Sequence, residues 1–160
     1  MKRIFFKTFK WVLIVILCCV IFLIAYIQYA KYKLTTNSPT IPSDYVDLFE
    51  LESLGEDIFI YGNNWAKRNE YGIWEVLIQG DNFERGVAYG KLIKRSIQDQ
   101  EQVFVNQINK VLPSNLYQIL IKNFIYIFLS DINDYISEEL KMEILGVSLS
   151  FSDDYDYIGE

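Results

Sequence analysis

The chain has 160 residues, a net charge of −6 and a hydrophobic content of 51%, which argues against disorder throughout. The charge is unevenly distributed, because residues 1–33 hold six basic residues and no acid, whereas residues 34–160 hold nine basic and twenty-one acidic residues. The acidic majority argues against nucleic acid as a partner, since phosphate binding needs a basic face.

Two residue types restrict the chemistry that this sequence can support. The chain contains no histidine, and its two cysteines, Cys18 and Cys19, both lie in an apolar run. Ser-His-Asp and Cys-His sites therefore cannot be built from this chain alone. Residues beyond the run contain no thiol, so they can form neither a disulfide nor a thiolate zinc site. We predict no metal and no cofactor.

Residues 11–30 read WVLIVILCCVIFLIAYIQYA, which is long enough to cross a bilayer as a helix. A cleaved signal peptide would need small residues before its cut, and Gln28 is a poor fit there. A lipoprotein signal would need a small residue before Cys18 or Cys19, where the sequence has Leu17 or Cys18. We therefore predict that residues 1–33 form a cytoplasmic tip and an uncleaved transmembrane anchor, with the lipid bilayer as partner through residues 11–30.

The basic residues around the apolar run indicate the orientation of the anchor. Four positive charges precede the run and two follow it. This excess predicts a cytoplasmic N-terminus, with residues 34–160 on the extracytoplasmic side of a single-pass membrane protein.

Residues 34–56 are polar and include Pro39 and Pro42, so they are predicted to form a linker before a domain at 57–160. Beyond the linker, two apolar segments, 58–61 and 73–79, are rich in β-branched and aromatic residues and read as short strands. A turn-rich connection separates them, which predicts that they pair as a hairpin.

Residues 80–90 follow the second strand and are predicted to begin a helix that continues to about Val111. Asp81 or Asn82 can cap it, and Glu84 lies in its first turn. Glycines inside a helix cost about 1 kcal/mol each relative to Ala, so Gly86 and Gly90 on one face indicate close packing against a neighbouring element. A phosphate-binding loop is not supported, because the glycine spacing is not GxGxxG and two acids occupy the segment.

The remaining sequence predicts two more helices. Residues 114–129 are apolar but contain polar side chains and are too short for a second span, which favours a core helix. Ser137 is a predicted N-cap for a helix that continues to about Ser150. A group of acids near the end of the sequence reads as a solvated turn rather than a calcium site, because the spacing of the twelve-residue calcium loop is absent; these acids are Asp153, Asp154 and Asp156.

Three segments in a defined order carry a resemblance to a known family. The first spans residues 61–90, with Tyr61-Gly62-Asn63-Asn64, Gly72-Ile73-Trp74-Glu75 and then Gly80-Asp81-x-x-Glu84-Arg85-Gly86-x-Ala88-x-Gly90. The second is Glu101-x-Val103-Phe104-Val105-Asn106-Gln107-Ile108, and the third is Glu138-Glu139-Leu140-x-x-Glu143-Ile144-x-Gly146-Val147-Ser148 with Phe151-Ser152-Asp153. Together, residues 57–160 resemble the N-terminal portion of autoproteolytic acyltransferases and hydrolases similar to acyl-coenzyme A:6-aminopenicillanic-acid acyltransferase.

That family belongs to the N-terminal-nucleophile hydrolase superfamily, and the resemblance implies part of a four-layer αββα fold. It implies a precursor that cuts itself before a cysteine, which then serves as nucleophile with its own α-amine as base. The implied reaction is hydrolysis or transfer of an acyl group at an amide or thioester. The fold class expected here is α+β: a transmembrane helix followed by a mostly helical segment with a short β-hairpin.

The nucleophilic cysteine of that family is expected downstream of the segment that matches residues 143–159, and no residue of this sequence occupies its position. No catalytic, cofactor-binding or metal-binding residue is therefore assigned, and the matching residues of 80–90 are interpreted as structural. These structural residues are Gly80, Asp81, Glu84, Arg85, Gly86 and Gly90.

The main hypothesis is the membrane-anchored N-terminal segment of such an enzyme, inactive alone and served by a separate catalytic chain or a continuation of the reading frame. The alternative is a non-catalytic single-pass membrane protein with an extracytoplasmic interaction module.

Overall fold

The computed structural model describes residues 2–36 and 38–152, with side chains from residue 9 onward. Its first element is helix α1, Lys2–Thr36. Within α1, Phe9–Thr36 is long and apolar enough to cross a membrane, and no other helix among the described residues is. Residues 9–26 are exposed along their whole length. An apolar helix with no protein around it is typical of a span or a signal sequence at the N-terminus.

Four short strands follow and form one antiparallel sheet in the order β1-β2-β3-β4. Their bounds are β1 Leu51–Ser53, β2 Ile58–Tyr61, β3 Asn64–Arg68 and β4 Trp74–Leu77. The α+β class is therefore confirmed, whereas the predicted pairing of 58–61 with 73–79 is wrong. Strand β3 lies between them and pairs with both, through Ile60 opposite Trp65 and Trp65 opposite Leu77.

The sequence does not predict β3, because its residues, NWAKR, directly follow the turn residues Gly62 and Asn63. These two residues alone connect β2 to β3, with Tyr61 paired to Asn64. Gly62 has a φ of +59°, a left-handed conformation that suits a two-residue hairpin turn. The turn-rich connection predicted after residue 61 is therefore shorter than expected. Strand β1 lies within the range assigned to the linker and pairs with β2.

Helix α2, Asn82–Leu92, packs on the sheet and starts as the sequence predicted. The Glu84 carboxylate accepts a hydrogen bond from the Asp81 backbone N–H at 3.3 Å, so it satisfies a donor at the helix start. The helix does not continue to Val111 without interruption: Ile93 leaves helical geometry, and α3 runs from Lys94 to Val111. This break lets α3 turn away from the core, since only Ile97 and Val105 of its residues are buried.

Helices α4, Asn115–Leu129, and α5, Glu138–Ser148, complete the described chain, with a short 3-10 turn at Ile132–Asp134 between them. The Ser137 hydroxyl caps α5 by accepting the Leu140 N–H at 3.3 Å, as predicted. The core lies between the sheet and α2, with α5 on the far side of α2. Its buried apolar residues are Tyr61, Ala66, Phe83, Val87, Ala88 and Leu92.

The prediction that residues 114–129 form a core helix is half correct. The helix is present, but Tyr126 is its only buried residue, and most of its large apolar side chains are exposed. Helix α4 packs against the end of α1 rather than in the core.

Candidate functional site

Helices α2 and α5 meet at their glycines with their backbones in contact. A Cβ added to Gly86 would lie under 3.0 Å from the backbone of Glu143, and one added to Gly146 would lie equally close to the backbone of Phe83. A Cβ added to Gly90 would lie 2.6 Å from the Ser150 hydroxyl oxygen, its nearest neighbour. The close packing predicted for Gly86 and Gly90 is therefore confirmed, and its partner is α5.

A salt bridge lies beside this contact. Arg85 donates from Nη2 to Glu143 Oε2 at 3.0 Å and to Asn82 Oδ1 at 2.8 Å. Both charged side chains are about a third exposed, so the pair contributes at most about 1 kcal/mol. The bridge joins a side chain of α2 to one of α5, 58 positions along the chain, and so restrains the rotation of one helix against the other.

Asn64 connects the β2–β3 turn to the segment that leads into α2. Its side chain is buried, donates from Nδ2 to the Tyr61 carbonyl at 3.2 Å, and accepts the Gln79 backbone N–H at 2.6 Å. Gly80 follows at a φ of +118°, a conformation that favours glycine. These bonds fix where α2 begins relative to the sheet.

A second polar cluster joins the segment before β1 to the core. Asp47 accepts hydrogen bonds from the Tyr61 hydroxyl and from Lys91 Nζ, the latter at 2.7 Å. Lys91 Nζ also lies 5.8 Å from the centroid of the Tyr61 ring. Sequence reasoning missed this cluster, because Asp47 was placed in the linker and no local spacing relates the three residues.

This cluster shifts two pKa values in opposite directions. The hydrogen bond from Lys91, and then that from Tyr61, lowers the pKa of Asp47 below its usual value, because both favour the carboxylate. Burial raises the pKa of Tyr61, and its hydrogen bond to Asp47 adds to the effect. Tyr61 is therefore held neutral as a donor, and the cluster serves structure better than proton transfer.

Two open cavities border these groups. One, of about 420 Å³, is lined by apolar and polar side chains that include Tyr45, Phe49, Tyr61, Asn64 and Glu84. The other, of about 590 Å³, lies between the sheet and the start of α3 and carries both signs of charge, with Lys94, Arg95, Asp57 and Asp99. Neither cavity is lined by a cysteine or histidine.

Within residues 2–36 and 38–152, no group of three or more His, Cys, Asp or Glu could hold a metal ion. Cys18 and Cys19 are exposed on α1, in the apolar stretch and not at either cavity. The acidic turn predicted at Asp153, Asp154 and Asp156 lies outside the described residues. Among the described residues, neither cavity is thus lined by a thiol or an imidazole.

Comparisons with known proteins add no relative: no family model, no curated protein and no solved structure matches this chain.

We expect the Asp47→Asn variant to lose less stability in acid than the wild-type chain. A carboxyl whose folded pKa is lowered stabilises the fold above its unfolded pKa of about 3.9, and that contribution disappears as pH falls through the folded value. Asparagine cannot titrate, so the variant is less stable than the wild type at pH 7, but its stability falls less between about pH 5 and pH 3. Urea midpoints across this range, with exposed Asp44→Asn as control, measure the difference. Equal acid slopes for Asp47→Asn and wild type would contradict the assignment.

Proposed function

We propose that this chain is the membrane-anchored N-terminal part of a cysteine-nucleophile, autoproteolytic acyltransferase or amidohydrolase, inactive without the segment that carries the cysteine. One observation carries the proposal: the three segments of the resemblance are joined in space. Arg85 of the first segment binds Glu143 of the third, and Glu101 of the second accepts the Ser152 backbone N–H at 3.1 Å. Segments that combine into one packed unit are what a shared fold requires.

The sheet supports the same proposal. One face is covered by α2, whereas the opposite face bears a row of apolar side chains, which we call the sheet ridge: Ile60, Trp65 and Leu77, paired across β2, β3 and β4. Leu77 is exposed, and Ile60 and Trp65 are half-buried. A single α layer on a single β layer is half of an αββα arrangement. A second sheet packed on the ridge would complete it.

In this proposal the described residues position a catalytic segment and perform no chemistry themselves. The incoming cysteine would supply the nucleophile through its thiolate, and its own α-amine would take the thiol proton, so no histidine is needed. The thiolate would attack the carbonyl carbon of an amide or thioester and release its amine or thiol, which leaves an acyl-enzyme thioester. Water or an acceptor amine would then take the acyl group and release the thiolate.

The topology is part of the proposal. Four basic residues precede the apolar stretch of α1 and two follow it, which favours a cytoplasmic N-terminus and places the sheet and α2–α5 outside the cytoplasm. A maleimide that cannot cross membranes should label Ser38→Cys in intact cells, in a background without Cys18 and Cys19. Labelling only after lysis would reverse the orientation.

The test of function begins with the genomic DNA that follows codon 160. We expect it, or a neighbouring frame, to encode a segment with a cysteine at its processed N-terminus. Co-expressed with this chain, the segment should release acyl groups from an N-acyl p-nitroanilide or an acyl thioester, and neither chain alone should.

A matched pair of variants makes the test specific. Trp65→Lys on the sheet ridge should abolish complementation, while Val103→Lys on the exposed side of α3 should retain it. If no frame supplies such a segment and the chain alone unfolds cooperatively as a monomer, the enzyme proposal fails. The anchored interaction module, for which the ridge would be the docking face, is then the better reading.

A further inference from the structure

Most of the surface of helix α4 that the described residues leave uncovered is apolar. Its only charged residue is Lys122, yet Leu120, Phe124 and Phe128 are 55%, 58% and 68% exposed. We call the six most exposed apolar side chains of this helix the α4 surface: Leu116, Tyr117, Ile119, Leu120, Phe124 and Phe128. A helix that is hydrophobic all round is normally buried in protein or in lipid. Within residues 2–36 and 38–152, no other element covers these side chains of α4.

The contact between α4 and α1 fixes where the α4 surface lies. Lys31 of α1 lies over the ring of Tyr126, 4.8 Å from its centroid. Further along, the Leu34 carbonyl accepts a hydrogen bond from Asn133 at 3.3 Å. Both contacts join the end of α1 to the end of α4 and the turn that follows it.

The end of α4 therefore lies beside the end of α1, where the apolar stretch finishes. Ile27 and Ala30 of α1 are half-buried and buried at the contact, whereas residues 9–26 are exposed. If α1 spans the bilayer, the contact lies at the membrane boundary. The α4 surface then lies next to that boundary.

The dimensions of α4 decide between crossing the bilayer and lying in its surface. Fifteen helical residues extend about 22 Å, less than the hydrocarbon thickness of about 30 Å. A helix of this length can immerse its apolar sides at the boundary between headgroups and acyl chains but cannot cross.

Charges at the two ends of the contact agree with this placement. The acidic residues nearest α4, Asp131 and Asp134, lie at its end, where Lys33 Nζ contacts them at 2.5 and 3.0 Å. Helix α4 itself carries no acid. Pairing with Lys33 keeps the carboxylates at the end of α1, away from the side on which the α4 surface meets lipid.

We propose that α4 is a second membrane contact, an interfacial helix that lies in the extracytoplasmic-facing boundary of the bilayer beside α1. The lipid bilayer is the occupant of the α4 surface. The proposal rests on the span of α1 and is independent of acyl transfer.

Spin labels on the full chain in vesicles test the placement. The vesicles are phosphatidylcholine with a minority of phosphatidylglycerol, and the background carries Cys18→Ala and Cys19→Ala. Labels at Leu120→Cys, and one turn on at Phe124→Cys, should collide often with dissolved oxygen and rarely with an aqueous nickel chelate. A label at Tyr71→Cys, in the exposed β3–β4 turn, is the matched control and should show the reverse, with a several-fold difference in the collision ratio.

A chain that keeps Cys18 and carries only Cys19→Ala reports on α1 separately. One outcome is that the label at Cys18 is protected from the nickel chelate while the labels at positions 120 and 124 are as accessible to it as the label at position 71. In that case the span stands and the α4 proposal fails. Protection at Leu120 that disappears when the protein is diluted in lipid would instead show a second copy on the α4 surface, and would also overturn the proposal. An accessible Cys18 would remove the span and the proposal together.

Discussion

Gly86→Ala is expected to destabilise the packed unit of sheet, α2 and α5 by about 3 kcal/mol, the upper end of overpacking costs. Alanine favours a helix by about 1 kcal/mol over glycine, which acts in the opposite direction. The steric effect dominates, because the added methyl meets the backbone of Glu143 rather than a mobile side chain. Relief therefore requires α5 to move as a whole. Gly146→Ala should cost a similar amount, since its methyl meets the backbone of Phe83.

Urea unfolding in detergent micelles, followed by the fluorescence of Trp65 and Trp74, measures this loss. The matched control is Gly90→Ala, whose methyl meets chiefly the Ser150 hydroxyl at 2.6 Å, with the Val147 carbonyl at 3.2 Å. A hydroxyl can rotate away, so Gly90→Ala should cost less than Gly86→Ala. Adding Ser150→Ala should reduce its cost further, and should not rescue Gly86→Ala. A Gly86→Ala chain as stable as the wild type would show that α2 and α5 do not touch in solution.

The parts of this fold that the sequence predicted are those fixed by neighbours in the chain. Asp81 with Glu84 marks the start of α2, and Ser137 marks the start of α5, because a cap needs only residues a turn away. Gly86 and Gly90 also showed that α2 is closely packed, since two glycines on one helix face have a cost that packing must offset. The sequence could not show that α5 is the partner.

The parts that the sequence mispredicted depend on distant residues or on the solvent. Strand β3 has no strand-like composition of its own and is held by pairing with β2 on one side and β4 on the other. The Asp47 contacts bring together residues 14 and 44 positions apart. The hydrophobicity of α4 predicted burial in the protein core, which is not observed. An apolar sequence alone does not distinguish a helix in a protein core from a helix in contact with lipid.

Phe83→Ala is expected to be the most damaging single truncation in the core, with a loss of about 3 to 5 kcal/mol. Phe83 is 5% exposed and lies where α2 meets the sheet. Its ring also meets Tyr45 edge to face, with centroids 4.8 Å apart and an interplanar angle of 85°. Such pairs add about 1 kcal/mol to the area that they bury. A loss of this size is a large share of the stability of an ordinary domain.

The control for this truncation is Phe104→Ala on α3, where the same side chain is 65% exposed. We expect that variant to change the free energy of unfolding by no more than about 0.5 kcal/mol, because little packing is lost. Far-UV circular dichroism with urea distinguishes the two variants. Equal losses would show that Phe83 is not a core residue.

Phe83→Ala should also loosen the segment before β1, and this effect can be measured apart from global unfolding. Tyr45 packs on Phe83, whereas Asp47 and Phe49 hold the same segment through Tyr61, with the Phe49 and Tyr61 rings 5.7 Å apart. Removing the Phe83 ring leaves those later contacts in place, so only the part around Tyr45 detaches. Chymotrypsin should then cut after Tyr45 faster in Phe83→Ala than in Phe104→Ala under native conditions. Adding Asp47→Asn should extend cleavage to the bond after Phe49, because each contact holds its own part of the segment. If Phe83→Ala alone is cleaved at both sites at the same rate, the segment detaches as one piece.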